Sequence, residues 1–121
     1  VTLTSSVAEG TQSADVLYTD IWVSMGEPES VWKERIDLLL PYQVNEAAFA
    51  NAAEGAIFMH CLPSYHDLKT EVGREIHEKF GLTEMEVTNA VFEGERSVVF
   101  DEAENRLHTI KAVILATLSK Q

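Results

Sequence analysis

Two brief apolar runs constrain this chain more than any other feature: residues 15–20, Asp-Val-Leu-Tyr-Thr-Asp, and residues 56–59, Ala-Ile-Phe-Met. Short apolar runs of this kind suit buried strands of a parallel sheet. Between them the period changes to that of a helix. Over residues 28–40, Val31, Trp32, Arg35, Ile36 and Leu39 share a face, and Pro41 ends the run. Asn45 then caps a second helix over residues 46–53, with Gly55 as its stop. Strands that alternate with helices predict an α/β domain with a parallel sheet. Such sheets bind ligands beyond the C-terminal ends of their strands. Chemistry is therefore expected just after Asp20 and at His60.

The remaining segments are read the same way. Residues 1–4 alternate like a short strand, and Ser5-Ser6 offers a cap for a helix over residues 7–10. Residues 26–30 hold Gly and Pro and read as a loop. A helix is expected over residues 70–80 with Gly81 as its stop, while residues 86–97 are mixed. Residues 98–100 suit either a strand or a buried turn. The clearest helix covers residues 101–119, with a stripe of Leu107, Ile110, Val113, Ile114, Thr117 and Leu118, and with Asp101, Glu102 and Glu104 near its start.

Composition narrows the function. With 121 residues the chain is large enough for one ordinary domain. A formal charge of −11, from 20 acidic and 9 basic residues, removes the clustered cations that phosphate backbones require, so nucleic acid is excluded as a partner. No apolar run approaches the ~20 residues that span a bilayer, so no membrane partner is expected. A single cysteine, Cys61, rules out a disulfide within the chain and points to a reducing compartment. No signal peptide is visible, and the missing initiator Met implies a start partway through a longer protein. The four histidines match no zinc spacing, so no metal is expected.

Three places hold residues with chemical potential. Asp20, at a strand end, can hold an ammonium group, with Ser24 and backbone amides orienting the rest of a ligand and Gly26 allowing close approach. Taken alone, this segment also suits an Asp that caps a turn before a loop that packs its Trp. Cys61, next to His60, can present a thiol to substrate or serve as a small buried hydrophobe. Arg106 can donate several hydrogen bonds to a phosphate or carbonyl oxygen, or pair with Glu102 four residues earlier.

In order, these segments are more specific than any is alone. Asp20-Ile21-Trp22-Val23-Ser24-Met25-Gly26, His60-Cys61-Leu62-Pro63 and Glu104-Asn105-Arg106 resemble the ornithine carbamoyltransferase family. Pro41-Tyr42-Gln43-Val44, Met85-Glu86-Val87-Thr88 and His108-Thr109-Ile110-Lys111-Ala112-Val113 extend the resemblance along nearly the whole chain. It implies a Rossmann-like, doubly wound sheet whose first strands are missing. Residues 1–121 would form the C-terminal portion of the ornithine-binding domain, including the C-terminal helix, without the carbamoyl-phosphate domain.

By the same resemblance, Asp20 binds the α-amino group of L-ornithine, and Ser24 and Met25 complete that site. Cys61 lies beside the δ-amino group, the Leu62 carbonyl holds the carbamoyl amide, and Arg106 binds the carbamoyl oxygen. The implied reaction is attack by the neutral δ-amine on carbamoyl phosphate, giving L-citrulline and phosphate without any cofactor. Cys61 is expected to handle a proton or to position the amine, with a thiolate as one way to do so. A cytoplasmic homo-oligomer, trimeric as in the family, is also implied.

Two departures matter. Many bacterial members follow His-Cys-Leu-Pro with Ala-Phe-His, whereas this chain has Ser64-Tyr65-His66. The family's phosphate-binding Ser-Thr-Arg-Thr motif is absent, which predicts little activity from this chain alone and an exposed sheet edge and apolar helix face. The alternatives are another transcarbamoylase, such as one using putrescine, which the Ser24-Met25-Gly26 loop disfavours, or a non-catalytic fragment that binds amino acid or only assembles.

Overall fold

The structure is a computed structural model that describes residues 1–24, 26–28 and 30–119. Strands β1 (Val16–Thr19) and β2 (Ile57–His60) pair in parallel, with Val16 opposite Ile57 and Thr19 opposite His60. The expected α/β class and parallel pairing are therefore present. Helix α1 (Val7–Thr11) precedes β1, and the crossover to β2 carries α2 (Ser30–Leu39), a 3-10 turn (Leu40–Tyr42) and α3 (Glu46–Ala50). Helices α4 (Glu71–Phe80), α5 (Asn89–Phe92) and α6 (Val99–Leu118) follow.

Local chemistry accounts for the boundaries. Ser6, Asn45 and Thr70 each accept an otherwise unpaired amide hydrogen at a helix start, from Glu9, Ala48 and Gly73 respectively. At the other end of α4, Gly81 takes a left-handed conformation, φ 73°, that a side chain would disfavour. β2 is held on both sides. Beyond its pairing with β1, the Phe58 amide donates to the Arg96 carbonyl at 2.9 Å, and the Val98 amide donates to the Phe58 carbonyl at 3.0 Å.

Apolar side chains gather in two groups. One joins Leu17 and Phe58 of the strands to Phe49, Val87, Val91, Phe92 and Val99. The other joins Trp22, Val23, Ile36, Tyr65, Ile76 and Met85, beneath the loops that follow the strands. Burying one such side chain is worth about 1.5–3 kcal/mol. The second group therefore gives the loops at the strand ends a packed floor, which an exposed loop would lack.

Three expectations need correction. Residues 1–4 form no strand, because no strand lies beside them; Thr4 instead donates its hydroxyl to Glu9 and accepts the Ser6 amide at the start of α1. The helix that begins after Asn45 ends at Ala50, short of Ala53. There Asn51 turns its amide onto Ala8 and Thr11 and ties α3 to α1. Residues 98–100 open α6 and are neither strand nor isolated turn.

α6 forms its expected stripe, yet Val99 is its only buried residue among those described, while Leu107, Ile110, Val113, Ile114 and Leu118 stand exposed. A helix buries a stripe only where another element lies opposite, and here β2 meets only its beginning. No helix of the described residues is long and apolar enough to cross a membrane.

The loop after β2 is pressed against α4. A methyl group at Gly73 would stand 2.3 Å from the Asp67 carbonyl oxygen, so Gly73→Ala is expected to destabilise the protein by about 1–3 kcal/mol. Chemical denaturation of the two forms measures this directly.

Candidate functional site

The strand register creates the site. Thr19 and His60 are paired, so the next residues, Asp20 and Cys61, leave the sheet side by side. The Cys61 thiol donates to Asp20 Oδ1 at 2.8 Å, and the Ile21 amide donates to the same oxygen at 2.7 Å. Those two donors, with burial opposing them, hold the Asp20 carboxyl below its ordinary range. The thiol is affected in the opposite sense. Burial, the hydrogen bond to Asp20 and the negative charges of Asp20 and Glu102 push it up to about 11. Cys61 is therefore a protonated thiol at neutral pH, and the thiolate considered from sequence is disfavoured by this setting.

α6 brings a third group. Glu102, in its first turn, accepts the His60 backbone amide at 3.1 Å and so fastens the helix to the end of β2. Burial and the adjacent Glu102 carboxylate also raise the Tyr18 phenol above its usual value. Because Glu102 is engaged with β2, the intrahelical Glu102–Arg106 pair does not form. Arg106, one turn further on, is exposed and has no ion pair or hydrogen bond to its side chain among the described residues. An open cleft of about 660 Å³ runs between these elements, lined by Tyr18, Cys61, Leu62, Glu102, Asn105 and Arg106 among others.

Below the cleft lies a buried polar group. The His60 ring donates through Nδ1 to the Cys61 carbonyl, and its Nε2 stands 3.2 Å from Glu86 Oε1, too far out of line for a hydrogen bond. Glu86 accepts instead from the Ser64 hydroxyl at 2.8 Å and the Tyr65 amide at 2.9 Å. Burial pushes the Glu86 carboxyl up, but His60 and the hydrogen-bond donors around it outweigh burial and hold it below its ordinary value. Between these flanks, the Leu62–Pro63 peptide bond is cis.

The structure thus brings Asp20, Cys61, Leu62 and Arg106 to one region. Ser24 does not line that cleft. It is exposed, and its amide donates to Glu27 Oε2 at 2.7 Å, while Arg35 holds Glu27 at 3.2 Å and the Trp22 carbonyl at 3.1 Å. Met25 lies outside the described residues. Sequence reasoning passed over three polar residues of the region: Tyr18, Glu102 and Glu86. Glu86 had a usable signal, a carboxylate flanked directly by the apolar Met85 and Val87. Glu102 was read only as an acid suited to a helix start and as a candidate partner of Arg106 four residues on.

The family model "Aspartate/ornithine carbamoyltransferase, Asp/Orn binding domain" matches residues 1–117. A protein of Treponema denticola named "Ornithine carbamoyltransferase, catabolic" is 73% identical over 118 residues, which cover 98% of this chain and 35% of that protein. A Streptococcus agalactiae protein named "Ornithine carbamoyltransferase 1, catabolic" is 59% identical over 120 residues, covering 98% of this chain and 36% of that one. The chain thus spans about a third of the length of these relatives. Among solved structures, the ornithine carbamoyltransferase from Pyrococcus furiosus superimposes with a TM-score of 0.69 at 37% identity, covering 90% of this chain and 29% of that chain. The Thermus thermophilus enzyme gives 0.69 at 33% identity, with 96% and 31% covered.

The thiol–carboxylate contact predicts its own titration. Asn in place of Asp20 removes the negative charge that opposes the thiolate, so Asp20→Asn should lower the Cys61 pKa from about 11 toward its ordinary 9.0. The pH dependence of Cys61 alkylation by iodoacetamide reads this shift.

Proposed function

Because the chain belongs to the aspartate/ornithine carbamoyltransferase family and matches its Asp/Orn-binding domain, we propose that it supplies the ornithine side of an ornithine carbamoyltransferase active site. The observation that carries the proposal is the meeting of Asp20 and Cys61 beside a cleft shared by Leu62 and Arg106. The carbamoyl-phosphate domain, in this reading, lies outside residues 1–121, which form the C-terminal portion of the ornithine domain.

Each role follows from charge and donor geometry. Both internal contacts to Asp20 fall on Oδ1, which leaves Oδ2 to receive the α-ammonium of ornithine. Ser24 and Met25 complete that end of the substrate. The δ-nitrogen must be neutral to attack, and an unperturbed side-chain ammonium of this kind has a pKa near ~10.4. A thiolate beside it would favour the ammonium, which is the unreactive form. A thiol whose proton is committed to Asp20 instead offers sulfur as an acceptor for an N–H of the amine. It orients the nitrogen lone pair without adding charge.

As the nitrogen attacks the carbamoyl carbon, a C–N bond forms, the carbon–oxygen bond to phosphate breaks, and the nitrogen passes a proton to the departing phosphate. Negative charge builds on the carbamoyl oxygen, where the uncommitted guanidinium of Arg106 stabilises it. The Leu62 carbonyl accepts from the carbamoyl amide. The reaction calls for no metal or organic cofactor in this scheme. Relatives named as catabolic enzymes support the same metabolic direction here. The uncovered face of α6 supports assembly into a homo-oligomer, with a trimer as the form the resemblance implies. A protonated lone thiol suits a cytoplasmic setting.

The test uses the whole protein in which this chain occurs. Citrulline should form from carbamoyl phosphate and L-ornithine, and no N-carbamoylputrescine should form when putrescine replaces ornithine. Arg106→Ala should lower kcat by about 10²–10³-fold, as loss of one donor to a developing oxyanion does. An unchanged kcat in that variant, or activity with putrescine alone, contradicts the assignment.

A further inference from the structure

We propose that Glu86 is a positioning residue for this reaction, a buried carboxylate that clamps both flanks of residues 61–63 and so sets where the Cys61 thiol and the Leu62 carbonyl stand. The proposal rests on the carbamoyl-transfer reading above and adds a residue that touches neither reactant.

The geometry is unusual for a structural acid. Glu86 is fully buried, and a buried carboxylate is costly unless paired and hydrogen-bonded. An apolar residue at this place would avoid that cost. The neighbours of the carboxylate explain what it does there. His60 stands on one side of residues 61–63, its Nε2 packed 3.2 Å from Glu86 Oε1 without a hydrogen bond, and Ser64 and Tyr65 on the other side both donate to that oxygen. A single oxygen thus gathers the strand end and the return of the loop. The His60 ring passes the constraint onward, because its Nδ1 donates to the carbonyl of Cys61 itself.

A clamp works only if its base is fixed, and this one is. The Glu86 carbonyl accepts the Val44 amide at 3.0 Å, and the Met85 amide donates to the Tyr65 carbonyl at 2.9 Å. The Gln43 side chain donates to the Met85 carbonyl at 2.6 Å. The flanking Met85 and Val87 are buried at 1% and 0% exposure, so the segment has little room to shift. Ser64 sharpens the inference. Its hydroxyl is one of the donors to Glu86. This chain therefore carries a donor in its clamp that an Ala at that position does not provide.

Two readouts test the proposal in the whole protein. The first is the kinetics of citrulline formation. Glu86→Gln keeps the shape and removes the charge. The Cys61 and Leu62 groups should then shift by a fraction of an ångström to an ångström, and kcat should fall by up to about 100-fold. KM for ornithine should change far less, since Asp20 is not moved by the loop. Ser64→Ala should lower kcat several-fold in the same direction. A residue that only fills the core would instead lower Tm and leave kcat per folded molecule unchanged.

The second readout is independent of turnover: the pH profile of Cys61 alkylation by iodoacetamide. Release of the clamp should loosen the thiol from Asp20 and move the profile to lower pH. If the wild-type protein forms no citrulline, the carbamoyl-transfer reading fails, and the alkylation profile alone decides whether Glu86 positions Cys61. If Glu86→Gln does not fold, Ser64→Ala decides on both readouts. A folded variant with unchanged kcat and an unchanged alkylation profile overturns the proposal.

Discussion

The parallel pairing of Val16–Thr19 with Ile57–His60 is the constraint from which the rest follows. Side chains alternate along strands, so a slip of one residue would turn Phe58 and His60 out of the interior and separate Asp20 from Cys61. In the observed register the two strands end level, and the residues that follow them meet at 2.8 Å. Phe58 helps to fix that register. It is completely buried, pairs opposite Leu17, and hydrogen-bonds on its other edge to residues 96 and 98. A core contact and a functional contact thus depend on one alignment.

Two carboxylates then carry the alignment outward. Glu102 ties the first turn of α6 to the His60 amide, which places Arg106 over the same cleft. Glu86 holds the loop from below through Ser64 and Tyr65. Both acids are engaged with backbone or buried donors, whereas the Arg106 side chain is left uncommitted among the described residues. The arrangement spends its rigid contacts on the scaffold and keeps the exposed guanidinium for a ligand oxygen. The electrostatics agree with this division. Burial, then the hydrogen bond to Asp20 and the nearby negative charges, keep Cys61 protonated, and the cation stands on the helix that forms the opposite side of the cleft.

Much of this was legible in the residues alone, for physical reasons. Apolar runs bounded by polar residues located both strands, and the caps Ser6 and Asn45 and the stop at Gly81 marked helix ends, because each satisfies a local backbone requirement. Asp20, Cys61, Leu62 and Arg106 were singled out through ordered motifs that resemble a family, and the structure brings them to one region. What was not legible depends on contacts distant in sequence. Residues 1–4 have the alternation of a strand but no neighbour to pair with. Spacing four residues apart suggested a Glu102–Arg106 pair, yet Glu102 finds the amide of His60, 42 residues earlier. The Cys61 thiol stays protonated because it is partly buried and an acid 41 residues before it accepts its hydrogen, neither of which a local pattern could reveal.

Substrate protection of Cys61 tests the central claim most directly, since that claim places the ornithine δ-amine against this thiol. Alkylation of Cys61 in the whole protein would be timed with and without carbamoyl phosphate and L-ornithine, with the labelled peptide identified by mass. The account predicts that the two substrates together slow the labelling strongly, and that D-ornithine, whose α-amino group is misplaced relative to Asp20, slows it much less. Labelling at the same rate with and without substrates would contradict it, because the thiol at the end of β2 would then not face the substrate at all.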